Sequence, residues 1–285
     1  MEENKVAPTS HLKKHEPVFY ILGSLTAIFI ISLASHFVYD LFPFGQSKNA
    51  GMGFCNVQGI NLHGSIHTYI PNQGTMDDPD EYQTMYGDAI SSEEIVYQLQ
   101  EAENDSSIEA ILIEVDSGGG SPVAGEEIAN AIKELSKPVV AVIRQSGMSG
   151  AYWAISGADR IIASQNSDIG SIGVTSSYLE NISKDKKYVQ LISGKFKDTG
   201  SPDRPITDED RDLIMRDLEI THDNFIQAVA QNRNMAIESV RAIADGSSML
   251  GQQAKNLGLI DEIGSWTQAE HYLQEQIGEE VQMCW

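Results

Sequence analysis

Apolar residues follow several different rhythms along this chain, and each rhythm predicts a different kind of element. From Val18 to Tyr39 the chain runs 22 residues without a formal charge, with His36 the one titratable interruption. A helix rising ~1.5 Å per residue crosses a ~30 Å hydrocarbon layer at that length, and Phe19, Tyr20, Phe37 and Tyr39 fall where interfacial aromatics belong. A cleaved leader would carry a shorter apolar stretch ending in small residues, whereas this one closes on His36-Phe37-Val38-Tyr39-Asp40. The pattern predicts a tail at 1–17, a retained transmembrane helix at 18–39, a linker at 40–55 and one folded body at 56–285. Lys5, Lys13 and Lys14 precede the span and an acidic body follows it. The positive-inside bias therefore predicts a cytoplasmic amino terminus and an extracytoplasmic body.

Within the body the periodicity shortens. Val57, Ile60, Leu62 and Ile66 predict a first strand pair, and Pro71 to Gly87, with Asp77-Asp78-Pro79-Asp80, predicts a solvated loop. Ser91 and Glu94 form a capping-box pattern ahead of Ile95, Leu99 and Ala102, which predicts a helix over about Ser92 to Ala102. Ile108 to Val115 is almost continuously apolar, as expected of a strand covered on both faces, and it runs into Asp116-Ser117-Gly118-Gly119-Gly120. Ser121-Pro122 then starts a helix with an Ile128, Ala131, Ile132, Leu135 stripe, and Val139 to Ile143 reads as the next buried strand. A further strand is expected at Val189 to Ile192. The last third reads as helical, with Thr207 and Asp210 as a capping box before Leu213, Ile214, Leu218, Phe225 and Val229. Strand, helix and strand in alternation predict an α/β fold with parallel pairing and functional loops at strand ends.

Charge narrows the function classes. The chain has 41 Asp and Glu against 19 Lys and Arg, a formal net charge of -22, which opposes binding to phosphate backbones and excludes nucleic acid as an expected partner. Cys55 and Cys284 are too few for a disulfide framework or a paired zinc site; the sequence allows one bridge between them without implying it, and a shielded or free thiol is the default expectation. No metal or cofactor is implied.

The candidate chemistry lies at the two glycine-rich strand ends. Ser146-Gly147-Met148-Ser149-Gly150-Ala151-Tyr152-Trp153 sets Ser149 on a tight turn before an apolar helix, where a hydroxyl is exposed and a carbonyl can approach backbone amides. Ser146 and Ser156 are its nearest competitors. Gly119 and Gly120 offer N–H groups at a helix mouth, suited to negative charge developing on a tetrahedral intermediate. No histidine lies between His67 and His222, and none of His63, His67, His222 or His271 sits in such a context. Lysine is the alternative base. A lysine normally titrates near ~10.4, so acting near pH ~7 takes roughly 4 kcal/mol of desolvation and polar surroundings. Lys184, Lys186 and Lys187 sit in a charged run, while Lys195 and Lys197 flank Phe196, and local pattern does not choose between those two.

Taken together these segments resemble the signal peptide peptidase A family, serine peptidases with a ClpP- and crotonase-like fold. The markers are Ser117 to Gly120, Ser149-Gly150-Ala151-Tyr152, Gly170-Ser171-Ile172-Gly173, Lys197-Asp198 with Ser201-Pro202, and Ala244-Asp245-Gly246 leading to Gly258-Leu259-Ile260-Asp261-Glu262. The resemblance spans about Val57 to Gly264 and implies a repeated β-β-α core with a helical C-terminal extension. It implies Ser149 as nucleophile, Lys197 as general base, Ser171 as the hydroxyl orienting that lysine, and Gly119 with Gly150 as backbone donors to the oxyanion. Gly118 stands where the family usually has proline, and Ala151 where it usually has glycine. The resemblance further implies signal-peptide remnants and other short or unfolded peptides as substrates. It also implies homo-oligomeric rings or domes, octamers among them, in which serine and lysine can come from different subunits. A crotonase-like acyl-CoA enzyme and a catalytically silent membrane scaffold are the competing readings.

Overall fold

The computed structural model describes residues 55–71, 79–177, 193, 195–201 and 204–285. The expected span at 18–39 and strand at Val189 to Ile192 lie outside the described residues. Among the described residues no helix is long and apolar enough to cross a membrane.

The sheet runs in the order β2 (Ala89–Ser91), β1 (Val57–His67), β3 (Ala110–Gly120), β4 (Val139–Met148), β5 (Arg160–Ala163) and β8 (Glu262–Ile263). Its centre is β1, β3 and β4, parallel throughout. The near-continuous apolar run of β3 has the expected cause, because both faces are covered. Ile111, Ile113 and Val115 pack beneath α2 (Ser92–Asn104), α3 (Pro122–Glu134) and α4 (Gly150–Ile155). Leu112, with Val140, Val142 and Ile162, packs beneath Ala269 and Leu273 of α8 (Trp266–Ile277). Parallel strands need crossover connections, and α2, α3 and α4 supply them.

Helix starts agree with their residue chemistry. The Ser91 side chain accepts from the Glu94 N–H at 3.2 Å, and Pro122 opens α3 where a missing N–H costs nothing. Thr207 and Asp210 form a complete capping box at the head of α5 (Asp208–Asn232).

Three expectations are corrected. The first strand pair is one eleven-residue strand, β1, bent at a register shift between His63 and Ser65 where Gly64 takes φ 71°. β2 (Ala89–Ser91) pairs with its far end. The acidic loop contains a helix, α1 (Pro79–Tyr86), begun by Pro79 and braced by the Tyr86 ring against His67 at 5.4 Å. Finally, Cys55 and Cys284 are joined in a disulfide across 229 residues of sequence. The sequence separation hid this pair, because their proximity depends on β9 (Met283–Cys284) returning to lie parallel to the start of β1.

The site is positioned by a change of neighbour along β4. Its first half pairs with β5 (Arg160–Ala163), and its last residues pair with β6 (Asp168–Gly170). β6 is held from its other side by antiparallel β7 (Ser248–Leu250). The remaining elements are α6 (Ile237–Arg241), α7 (Gly251–Asn256) and β8 (Glu262–Ile263).

Candidate active site

β4 and β6 end side by side, with Met148 opposite Gly170, so that Ser149 and Ser171 leave the sheet together. The Ser149 N–H donates to the Gly170 carbonyl at 2.7 Å, which extends the ladder one step and turns the chain sharply into α4. The backbone at Ser149 has φ 51° and ψ -128°, a region costly for any residue with a side chain. Ser171 is also at positive φ, 49°, and these two serines are among only three such non-glycine residues in the described part of the chain. Strain of this kind persists where surrounding structure enforces it, typically at turns that carry chemistry. Ser149 is the N-cap of α4, yet its hydroxyl makes no capping bond, so it is not spent on the helix.

The glycines explain how closely the loops meet. A Cβ on Gly119 would stand 2.8 Å from Ser149 Cβ and 2.9 Å from the Gly150 nitrogen, and Gly119 has φ 106°. A Cβ on Gly125 would lie 2.6 Å from the Gly150 carbonyl oxygen, so α3 and α4 touch backbone to backbone. Gly118 differs, with open space where a side chain would go, so a larger residue fits there without changing the turn. The Ala151 methyl is fully buried. Behind the turn, Tyr152 is buried and its hydroxyl donates to the Leu259 carbonyl at 2.7 Å. Burial pushes the Tyr152 phenol well above its ordinary range, so it stays a neutral anchor.

In front of Ser149 lies a cavity of about 430 Å³ whose wall includes Gly120, Ser149, Ser171, His222, Asp245 and Gly246. The Ser171 hydroxyl donates to the Gly246 carbonyl at 2.9 Å and keeps acceptor capacity for an incoming donor. Of the expected oxyanion donors, Gly120 lines this cavity and Gly150 is the first residue of α4, where N–H groups lack an intrahelical acceptor. The Gly119 N–H instead donates to Ser117 Oγ at 3.1 Å, and that hydroxyl donates to the Gly64 carbonyl at 2.6 Å. Of the competing serines, Ser156 is buried and donates to the Trp153 carbonyl, and Ser146 is outside the cavity wall.

The two lysines separate. Lys195 pairs with Glu209 at 2.7 Å and lies against the Phe196 ring. Lys197 is exposed, makes no hydrogen bond or ion pair with a described residue, and is absent from the wall of the Ser149 cavity. Both sit in consecutive turns rather than a strand, with Thr199 N–H donating to Phe196 O and Ser201 N–H to Asp198 O. The structure thus brings together Ser149, Ser171, Gly120 and Gly150, and sets Lys197 apart from them within one protomer.

The profile of peptidase family S49 matches residues 131–280, more than half of the chain. The chain belongs to peptidase family S49. The match includes Ser149, Ser171 and Lys197 and begins after the Gly119-Gly120 turn. Among S49-like relatives, a putative protease of Methanocaldococcus jannaschii is 36% identical over 183 residues, 62% of this chain and 59% of that protein. A putative signal peptide peptidase SppA of Enterococcus faecium is 31% identical over 198 residues, 67% of this chain and 58% of that protein. Protease 4 of Haemophilus influenzae is 31% identical over 187 residues, 64% of this chain and 30% of its own length. The chain therefore spans less than two thirds of each of these relatives. A ClpP1 mutant from Listeria monocytogenes covers 73% of this chain and 91% of its own, with a TM-score of 0.46 at 15% identity.

One site residue of this S49 chain was set aside in the sequence reading for lack of a glycine-rich context. His222 lines the cavity from α5, and its Nε2 is buried without a partner among the described residues. The available signal was helical spacing, since Phe225, three residues on, stacks on Trp153 of α4 at 4.7 Å and carries that face of α5 towards the site. Among the described residues no three His, Cys, Asp or Glu side chains converge as a metal site.

Proposed function

We propose that the chain is a membrane-anchored serine endopeptidase in which Ser149 is the nucleophile and Lys197, contributed by a neighbouring copy, is the general base. The observation that carries this reading is Ser149 itself, held at φ 51° at a glycine-lined strand end, with an uncommitted hydroxyl facing a cavity. Ser149 attacks a peptide carbonyl and passes its proton to the amine of Lys197, which returns it to the leaving amine. Water then hydrolyses the acyl-enzyme with the same base. Ser171, donating to Gly246, accepts a hydrogen bond from that amine and orients it. Gly120 and Gly150 N–H groups face the oxyanion, and Gly119 lets the two turns meet.

Lys197, exposed and without a hydrogen-bond or ion-pair partner among the described residues, supports a base supplied in trans, and so a homo-oligomer in which each site needs two protomers. The apolar span at 18–39 and the lysines before it support an anchor with the body outside. The Cys55–Cys284 disulfide supports the same side, because such bonds persist in oxidising compartments. Family membership favours a peptidase over the acyl-CoA enzyme and the silent scaffold, and the name of the Enterococcus relative favours signal-peptide remnants as substrates.

A serine-reactive fluorophosphonate tests the chemistry. The full chain labels, Ser149→Ala does not, and Lys197→Ala labels at least about 100-fold more slowly. Mixed Ser149→Ala and Lys197→Ala protomers regain peptidase activity if the dyad crosses subunits. A second reading keeps Ser149 and takes His222 as base, on the strength of its place in the cavity wall. It requires His222→Ala to lose labelling while Lys197→Ala keeps it.

A further inference from the structure

A dense side-chain hydrogen-bond network lies outside the cavity, around Asp210 and Arg204. Asp210 is 2% exposed and its carboxylate receives five hydrogen bonds. Two come from Thr207, by N–H at 3.0 Å and hydroxyl at 2.7 Å, and these serve the cap of α5. The others go beyond a cap. Thr199 Oγ1 donates at 2.8 Å, and Arg204 donates from Nη1 at 2.5 Å and Nη2 at 3.0 Å. The same guanidinium turns its remaining edge to Asp198, with Nε to Oδ2 at 2.9 Å and Nη2 to Oδ1 at 3.0 Å. Arg204 therefore bridges the head of α5 to Asp198, and Asp210 itself takes the Thr199 hydroxyl, so the two residues that directly follow Lys197 are both tied to that helix start. Helix capping needs Thr207 and Asp210 but neither Arg204 nor Asp198.

We infer that Arg204, seated on Asp210, is a positioning residue for Lys197: it fixes the turn that presents the amine and keeps the Asp198 carboxylate away from it. This rests on the proposed role of Lys197 as base. Geometry carries the first half, because Lys197 lies within the first of two overlapping tight turns, which are tied to α5 through Lys195–Glu209, Thr199–Asp210 and this bridge. Charge carries the second. A carboxylate one residue from the amine would otherwise pair with it and favour the protonated form that cannot act as a base, whereas both Asp198 oxygens are occupied by Arg204. In keeping with this, Arg204 holds the Asp198 and Asp210 carboxyls below their usual range.

The test compares Arg204→Ala, Arg204→Lys, Asp198→Asn and Lys197→Ala in the full-length assembled protein. It reads kcat and KM on a fluorogenic peptide, the pH–rate profile, the melting temperature and the oligomeric state. Arg204→Ala is expected to lower kcat about 10- to 100-fold with KM within about twofold, and to move the acid limb of the profile to more alkaline pH as Asp198 is released. Arg204→Lys recovers part of the loss, since an ammonium pairs without a planar fork. Asp198→Asn lowers kcat without moving the limb, because no carboxylate remains to hold the proton. Wild-type kcat and limb in an assembled Arg204→Ala protein, alongside an inactive Lys197→Ala, overturn the inference and leave the base assignment standing. An active Lys197→Ala overturns the base assignment itself. If Arg204→Ala fails to assemble, Asp198→Asn decides: a kcat fall of about fivefold or more at unchanged melting temperature supports the positioning role, and an unchanged kcat rejects it.

Discussion

An alanine methyl at position 119 would collide with Ser149 Cβ and the backbone on either side of it, on a backbone already at φ 106°. Adopting that φ costs an L-residue on the order of 1–3 kcal/mol, and displacing the Ser149 turn by a fraction of an ångström spoils in-line attack. Gly119→Ala is therefore expected to slow fluorophosphonate labelling by about 100-fold or more, with retained secondary structure by circular dichroism. Gly118→Ala, facing open space, should label at the wild-type rate. At this scale the sequence was informative about residue types and silent about conformation. A serine flanked by glycines at a strand end was legible as a tight turn into a helix, as the structure has it. The Gly119 N–H is spent on Ser117 and Gly120 lines the cavity at a strand end where pairing with β4 shifts register between Val115 and Ser117, and no local pattern announces that arrangement. The Lys195 and Lys197 ambiguity had a similar origin, since a strand would have placed both on one face and the chain forms turns instead.

At the scale of elements, α5 divides into two halves. Its second half is rooted by buried Phe225, Ile226, Val229 and Ala230, whereas Asp210 is the single buried residue in the first half. Met215 and Ile220 are exposed there, and Leu213, Ile214 and Leu218 are only partly covered. The Lys197 turn is fastened to the less buried half and His222 stands near the root, so one helix links the proposed base to the wall of the cavity. Truncating the root should loosen both. Phe225→Ala removes the stacked contact with Trp153 and is expected to destabilise by about 3–5 kcal/mol in denaturant unfolding, with labelling reduced at temperatures where the protein remains folded. The helical character and capping box of α5 were legible because helical spacing repeats over many turns, whereas its end after 25 residues was not marked. The eight-residue α1 was not, because it lies within an acidic stretch with too few apolar positions to show a period.

At the scale of the whole molecule, the disulfide is the longest-range constraint. In a chain-entropy picture, closing a loop of 229 residues stabilises the fold by up to about 5 kcal/mol. Cys55→Ser combined with Cys284→Ser is expected to lose roughly 2–5 kcal/mol of unfolding free energy, and wild-type protein treated with reductant should show the same shift. The parallel α/β plan was legible from the alternation of apolar runs and glycine turns. The bridge was not, since pairing between distant cysteines follows from the finished topology alone.

The covalent ring also sets how the body responds to being pulled. Force applied between a chain attached before Cys55 and one attached after Cys284 passes directly from one sulfur to the other. It therefore bypasses the hydrogen-bond ladder of β1 and the turns built upon it. A tugged body of this design transmits tension along its attachment points while the groove holding Ser149 and Ser171 keeps its shape.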